Sequence, residues 1–229
     1  MGAWWRKKII SVTHLFHRKR LVRRLTNLNP SILSLDCVGG VMAHDLRLRF
    51  NSPTVNLFFE SCGDFITYVA ELRNYTQTEL CECPYAYEGE RRYPVGVLKG
   101  NGVLPDVKIH FLHYHSFEEA REKWLERNER LNFDNLCVVM QAAELDDELL
   151  RRFESLPIQR KVILAYETLP LQSPSIFKMR SLDSFVPGRI LNYSGLSGRR
   201  YLDDFDYVAF LNDGTIRANG YPPPRNARG

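Results

Sequence analysis

Two signals are missing from the first part of this 229-residue chain. No uninterrupted apolar run approaches the ~20 residues of a membrane-spanning helix, which excludes a span. No apolar stretch leads to a small-residue cleavage site, which argues against a secretion signal. Acid is also absent there: residues 1–24 hold eight Lys and Arg and no Asp or Glu. Of 31 basic residues in the chain, the other 23 face 27 acidic ones, so the remainder carries a net −4. The basic character therefore belongs to a leader. The acidic body lacks a basic stripe with aromatic stacking positions, which places nucleic-acid binding last among the functions to consider. Cys81-x-Cys83 has no second knuckle to complete a zinc site. The odd count of five cysteines, without a secretion signal, reads as reduced thiols in a cytoplasmic protein.

What is present suits one large α/β domain. An apolar share of 44% can fill a core, and the length fits a soft prior of about 150 residues per domain. The expected division is a basic amphipathic leader over 1–28, an α/β domain over 29–218 and a disordered tail over 219–229. Residues 1–25 mix Trp4, Trp5, Ile9, Val12, Leu15 and Phe16 with cations. Such a helix suits peripheral contact with an anionic membrane; the alternative is a basic helix packed on the domain.

The segment Val107 to Met140 reads as strand, helix, strand. Residues 107–115 carry apolar side chains at strand spacing, with His113, Tyr114 and His115 at the carboxyl end. Ser116 and Glu119 form a capping box that starts the helix there. The carboxyl ends of strands in open α/β sheets are where ligands bind. On the helix Lys123, Arg127 and Arg130 make a cationic row, readable as an anion site or as a solvated face, and Asn132 turns the chain into a strand over 136–141.

Elsewhere, the apolar run 31–35 enters Asp36-Cys-Val-Gly39-Gly40, a turn expected to precede a helix over 41–48 bearing His44 and Asp45. Strand, glycine turn and helix start can cradle a phosphate, although two glycines also make a plain tight connection. Thr54 to Phe59 reads as a buried strand ending at Glu60. Residues 64–75 read as an amphipathic helix, 79–105 as an irregular loop over the site with a short strand over 93–98, 144–156 as a helix and 161–166 as a strand. Asp204-x-Asp206 has metal-binding spacing but leads into an apolar run, 207–211, read as a strand; a divalent metal is not expected.

The matching pieces Ser34-Leu-Asp-Cys-Val-Gly-Gly40, His44-Asp45-Leu46, Asn51-Ser-Pro-Thr54, Tyr93-Pro-Val-Gly96, His110-Phe-Leu-His-Tyr114, Lys123-Trp124 and Arg130-Leu-Asn132 resemble those of the DUF1919 family. The motif departs at Leu35, Asp36 and Val38, where the family more often has Asn-Asn-Cys with an aromatic. The resemblance implies a three-layer α/β/α domain with a mainly parallel or mixed sheet. It also implies a place in exopolysaccharide or capsule assembly, which begins on lipid carriers at the inner face of the cytoplasmic membrane. The expected activity is a glycosyltransferase-like transfer from an activated sugar, such as a nucleotide-sugar donor, or from a lipid-linked saccharide. His113 would be general base, since an imidazole pKa near ~6.5 suits that task. Glu60 or Asp45 would orient hydroxyls or the imidazole. Asp36, Gly39 and Gly40 would meet donor phosphates with Arg127 and Arg130, while His44, Tyr114, His115 and Asn132 complete the binding set. An acyl or other substituent transferase and a non-catalytic saccharide-binding factor are the alternatives.

Overall fold

The apolar runs become strands buried on both faces, so adjacent residues of one strand serve opposite cores. The computed structural model describes residues 3–142, 145–180 and 182–222. In chain order the elements are α1 (Ala3–Arg24), β1 (Ser31–Ser34), α2 (Val38–Asp45), β2 (Phe58–Phe59), α3 (Cys62–Ala70), α4 (Leu72–Tyr75), β3 (Leu80–Glu88) and β4 (Arg91–Leu98). They continue with β5 (Val107–His110), α5 (Phe117–Asn128), β6 (Leu136–Gln141), α6 (Asp147–Glu154), β7 (Arg160–Tyr166), β8 (Ile176–Met179) and α7 (Tyr207–Asp213).

Two four-stranded sheets result. The first, ordered β1-β6-β7-β8, is parallel throughout; the second, ordered β2-β5-β4-β3, is antiparallel. They meet at Leu35. Its N–H donates to Val139 O of the parallel sheet (3.2 Å), and its carbonyl accepts from Phe59 N of the antiparallel one (3.0 Å).

Leu33, Val138, Met140 and Ile163 pack beneath α3, α5 and α6 with Phe65, Tyr68, Trp124 and Phe153. Their sequence neighbours Ile32, Cys137, Val139, Val162 and Leu164 face α1, α2 and α7 with Leu21, Met42, Val208 and Phe210. This alternation at period two makes the parallel half a three-layer α/β/α arrangement. Each large side chain so buried contributes about 1.5–3 kcal/mol.

Several local expectations change. Residues 207–211 form helix α7, not a strand: all five are buried, so no periodicity distinguishes the two. The punctuation is helical, because Asp206 accepts from Ala209 N (3.3 Å) and Gly214 closes the helix with φ 86°. Within 79–105 the strand expected over 93–98 is part of β4, but it pairs with β3 in a hairpin, bulged between Cys83 and Ala86 and turned at Gly89 with φ 60°, where an irregular loop was expected. Of 54–59 only Phe58–Phe59 is strand; Asn56 has φ 63°. Strand β5 stops at His110, so His113 and His115 lie in the connection that follows. Helix α2 begins at Val38 and takes in both glycines, not at 41. Helix α6 starts at Asp147; Glu144 lies outside the described residues, as do 223–229 of the expected tail.

Helix α1 is docked on the body along one face. Ile10, His14, His17, Leu21 and Leu25 are buried at helical spacing. No helix among the described residues is long and apolar enough to cross a membrane.

Candidate functional site at the carboxyl edge of the parallel sheet

The close approach of α2 to β1 sets the site. A Cβ on Gly39 would lie 2.7 Å from Ser34 Cβ, so glycine is needed there for packing. The amides at the helix start are already met: Val38 N–H donates to Asp36 Oδ1 (2.9 Å) and Gly39 N–H to Ser34 Oγ (3.1 Å). Gly39 and Gly40 are buried helical residues, and the turn expected to cradle phosphate is not formed.

Asp36 is half-buried just past the end of β1. Burial pushes its carboxyl up to about 6, against the lowering influence of the Val38 N–H and the Ser34 hydroxyl. Beside it Cys37 points its Sγ toward Leu57 O (3.9 Å). Burial, then the charges of Asp36 and Glu88, push this thiol up to about 12, so at neutral pH it is protonated and a poor nucleophile.

The irregular segment 55–57 gathers groups from two connections, β1–α2 and β5–α5. Cys37 meets Leu57 O, His113 N–H donates to Asn56 O (3.4 Å), and Tyr114 Oη donates to Val55 O (2.8 Å). Glu88, from the tip of the β3–β4 hairpin, acts electrostatically on both Cys37 and His113. His113 is exposed, but partial burial of its ring and then Arg91 depress its pKa, with Glu88 opposing. The last residues of β6 and β7 complete the edge. Gln141 Nε2 donates to Tyr166 Oη (3.1 Å), and Asp36 and Cys62 add to the upward shift that burial gives the phenol. Gln141, Tyr166, Cys37, Asn56 and Glu88 were not singled out from the sequence. For the first two the signal existed, since each is a polar residue ending an apolar strand.

The remaining sequence candidates have other partners. Arg127 is buried, with Nη1 donating to Tyr114 Oη (2.5 Å) and to Val55 O (3.4 Å). Arg130 Nε donates to Phe50 O (3.1 Å) and its Nη1 to Glu126 (2.5 Å). Both arginines thus fasten segment 50–55. Asn132 N–H donates to Ser31 Oγ (2.8 Å), and its side chain caps Asp134 N. His115 is exposed, and its N–H donates to Glu119 Oε2 (3.0 Å), while Glu119 N–H donates to Ser116 Oγ (3.2 Å). The carboxylate of Glu60 pairs with Lys108 (3.1 Å) and acts on His110.

Asp45 belongs to a second group, beneath α1. Its carboxylate lies 3.3 Å from His14 Nε2, 3.5 Å from Arg18 Nε, 3.4 Å from Arg200 Nε and 3.3 Å from the exposed His44. Burial pushes the Asp45 pKa up, but the His14 hydrogen bond and the charge of Arg200 outweigh it and hold the group below the usual range. Asp203 accepts from His17 Nε2 (2.8 Å), Asp204 from Arg180 Nε (2.9 Å), and Asp206 from Arg24 (2.6 Å) and Arg217 Nε (3.2 Å). Asp204 and Asp206 therefore turn to different cations. Among the described residues no three His, Cys, Asp or Glu are grouped to hold a metal ion.

The sequence model of a domain of unknown function, DUF1919, matches residues 8–212, nearly the whole chain. The chain belongs to the DUF1919 family. An uncharacterized protein of Haemophilus influenzae is 35% identical over 198 residues, covering 86% of this chain and 91% of its own. The DUF1919 match takes in all of α1 from Lys8 onward together with both groups of acids described above.

Proposed function

We propose that this DUF1919 protein is a transferase of cell-surface polysaccharide assembly, acting on an activated sugar or a lipid-linked saccharide. The observation that carries the reading is the placement, at the carboxyl edge of a parallel sheet, of Asp36 beside Cys37, whose Sγ meets Leu57 O, and of His113, whose backbone N–H donates to Asn56 O. One group is a carboxyl raised to about 6 and the other an imidazole depressed below its usual value. A raised carboxyl and a depressed imidazole at one edge are suited to handling a proton at a sugar hydroxyl.

In this mechanism neutral His113 takes the proton of the acceptor hydroxyl as its oxygen bonds to the anomeric carbon. The bond from that carbon to the donor's phosphate oxygen breaks, and the electron pair leaves with the phosphate. Asp36 accepts a hydrogen bond from a sugar hydroxyl and orients it. Cys37 stays protonated and takes no covalent part.

Transfer of an acyl or other substituent to the polysaccharide is a second reading, favoured by one observation. Arg127 and Arg130 are engaged with segment 50–55, which leaves them poorly disposed to balance a leaving diphosphate. Titrating the purified chain with nucleotide-sugars and with acyl-CoA donors, followed by thermal shift, separates the two. Stabilisation by a nucleotide-sugar that is lost in Asp36→Asn and His113→Ala supports glycosyl transfer; stabilisation by acyl-CoA alone supports substituent transfer. Binding of oligosaccharide with no donor consumed would overturn both.

A further inference from the structure

Helix α1 has two apolar faces, and the body covers only one. At 100° per residue, Ile10, His14, His17 and Leu21 occupy the inner sector, locked to Asp45, Gly198 and Asp203. Trp4, Trp5, Val12, Leu15 and Phe16 fall in the opposite sector of about 120°. They are 44–64% exposed. Lys8 and Lys19 share that sector, with Lys8 Nζ 4.9 Å from the Trp4 ring centre and 5.9 Å from that of Trp5, and Lys19 Nζ 5.8 Å from that of Phe16. Arg23 falls in it too, Arg20 flanks it, and α1 holds no acid. At the side of the helix Thr13 Oγ1 donates to Leu196 O (2.8 Å), which ties α1 to a loop whose Leu196 is 41% exposed.

We infer that the outer face of α1 docks flat on an anionic lipid surface, with Trp4, Trp5 and Phe16 entering the headgroup boundary and the cations meeting lipid phosphates. Charge selects this occupant. A second copy of the chain would bring the same uncompensated cations against these, whereas an anionic bilayer supplies both the missing charge and an apolar boundary. The inner face stays on the body, so docking needs no rearrangement of the fold. The inference stands on α1 alone and does not depend on the transferase reading.

The chain reports its own docking. Of its three tryptophans Trp4 and Trp5 are exposed and Trp124 is buried, so a blue shift in emission reads the outer face. The full chain is mixed with vesicles of equimolar phosphatidylglycerol and phosphatidylcholine, or of phosphatidylcholine alone, and sedimented. Binding with a blue shift is expected for the anionic vesicles only, weakening steeply with salt. Trp4→Ala with Trp5→Ala, and separately Lys8→Glu with Lys19→Glu, are expected to weaken binding at least about tenfold. Thermal unfolding should be unchanged in both, because these side chains leave the inner face intact. Absence of binding, equal binding by the variants, or a lipid-free dimer that buries the tryptophans would overturn the inference.

Discussion

Two aspartates on either side of helix α2 show how one residue type is put to opposite uses. Asp45, beneath α1, meets His14, Arg18 and Arg200, and its carboxyl is held low. Asp36, at the sheet edge, has a backbone N–H and a hydroxyl for company, and its carboxyl is raised to about 6. The first arrangement spends charge on closing the fold. The second keeps a carboxyl near its titration point in the physiological range, at a cost in stability, which is the commoner state of groups that handle protons.

The comparison breaks most directly at the sheet edge. If the edge is catalytic, His113→Ala should lower turnover on the accepted donor by about 10²–10⁴-fold. The check is a turnover assay on folded protein, and full activity would remove the base assignment. Beneath α1 the expected loss is of stability. Asp45→Ala leaves His14, Arg18 and Arg200 without their shared partner and should cost about 3–5 kcal/mol in urea unfolding; a cost under 1 kcal/mol would make the cluster ornamental.

Asp36→Asn should do the reverse and stabilise the protein, by roughly 1–3 kcal/mol above pH 6. The sign follows from a folded pKa above the unfolded value of 3.8. The wild-type carboxyl is costless below that value, loses stability as pH rises to about 6, and is steadily disfavoured above it. Unfolding of both proteins from pH 3.5 to 8 tests this, and a difference independent of pH would refute the raised pKa. The smallest effect is expected at Glu60, whose pair with Lys108 is about half exposed on both sides: Glu60→Gln should change stability by less than about 0.5 kcal/mol.

The sheet edge was partly legible in the sequence and the α1 cluster was not. The span of β6 over 136–141 and the Ser116 cap of α5 could be read because apolar runs and capping residues act over a few positions. Asp36 could be placed at a strand end for the same reason. Helix α7 was misread because five consecutive buried residues erase the period that separates helix from strand. Most of β4 could be read from its apolar run, but its partner β3 hid behind Pro84, a bulge and partly exposed side chains. His17 and Asp203 are 186 positions apart, and no local pattern announces a partner at that distance. Nor could spacing tell that Arg127 would turn inward to Tyr114 rather than outward to an anion.

The clasp between the two ends of the chain also fixes an order of events during synthesis. The inner face of α1 needs Asp203, Asp206 and Asn212. At about 5–20 residues per second, roughly 10–35 s separate the emergence of His17 from that of Asp203. Through that interval the inner face can meet α2 through Asp45, but the contacts to Asp203, Asp206 and Asn212 are still missing. The helix is therefore clasped only once residues about 186 positions downstream have emerged.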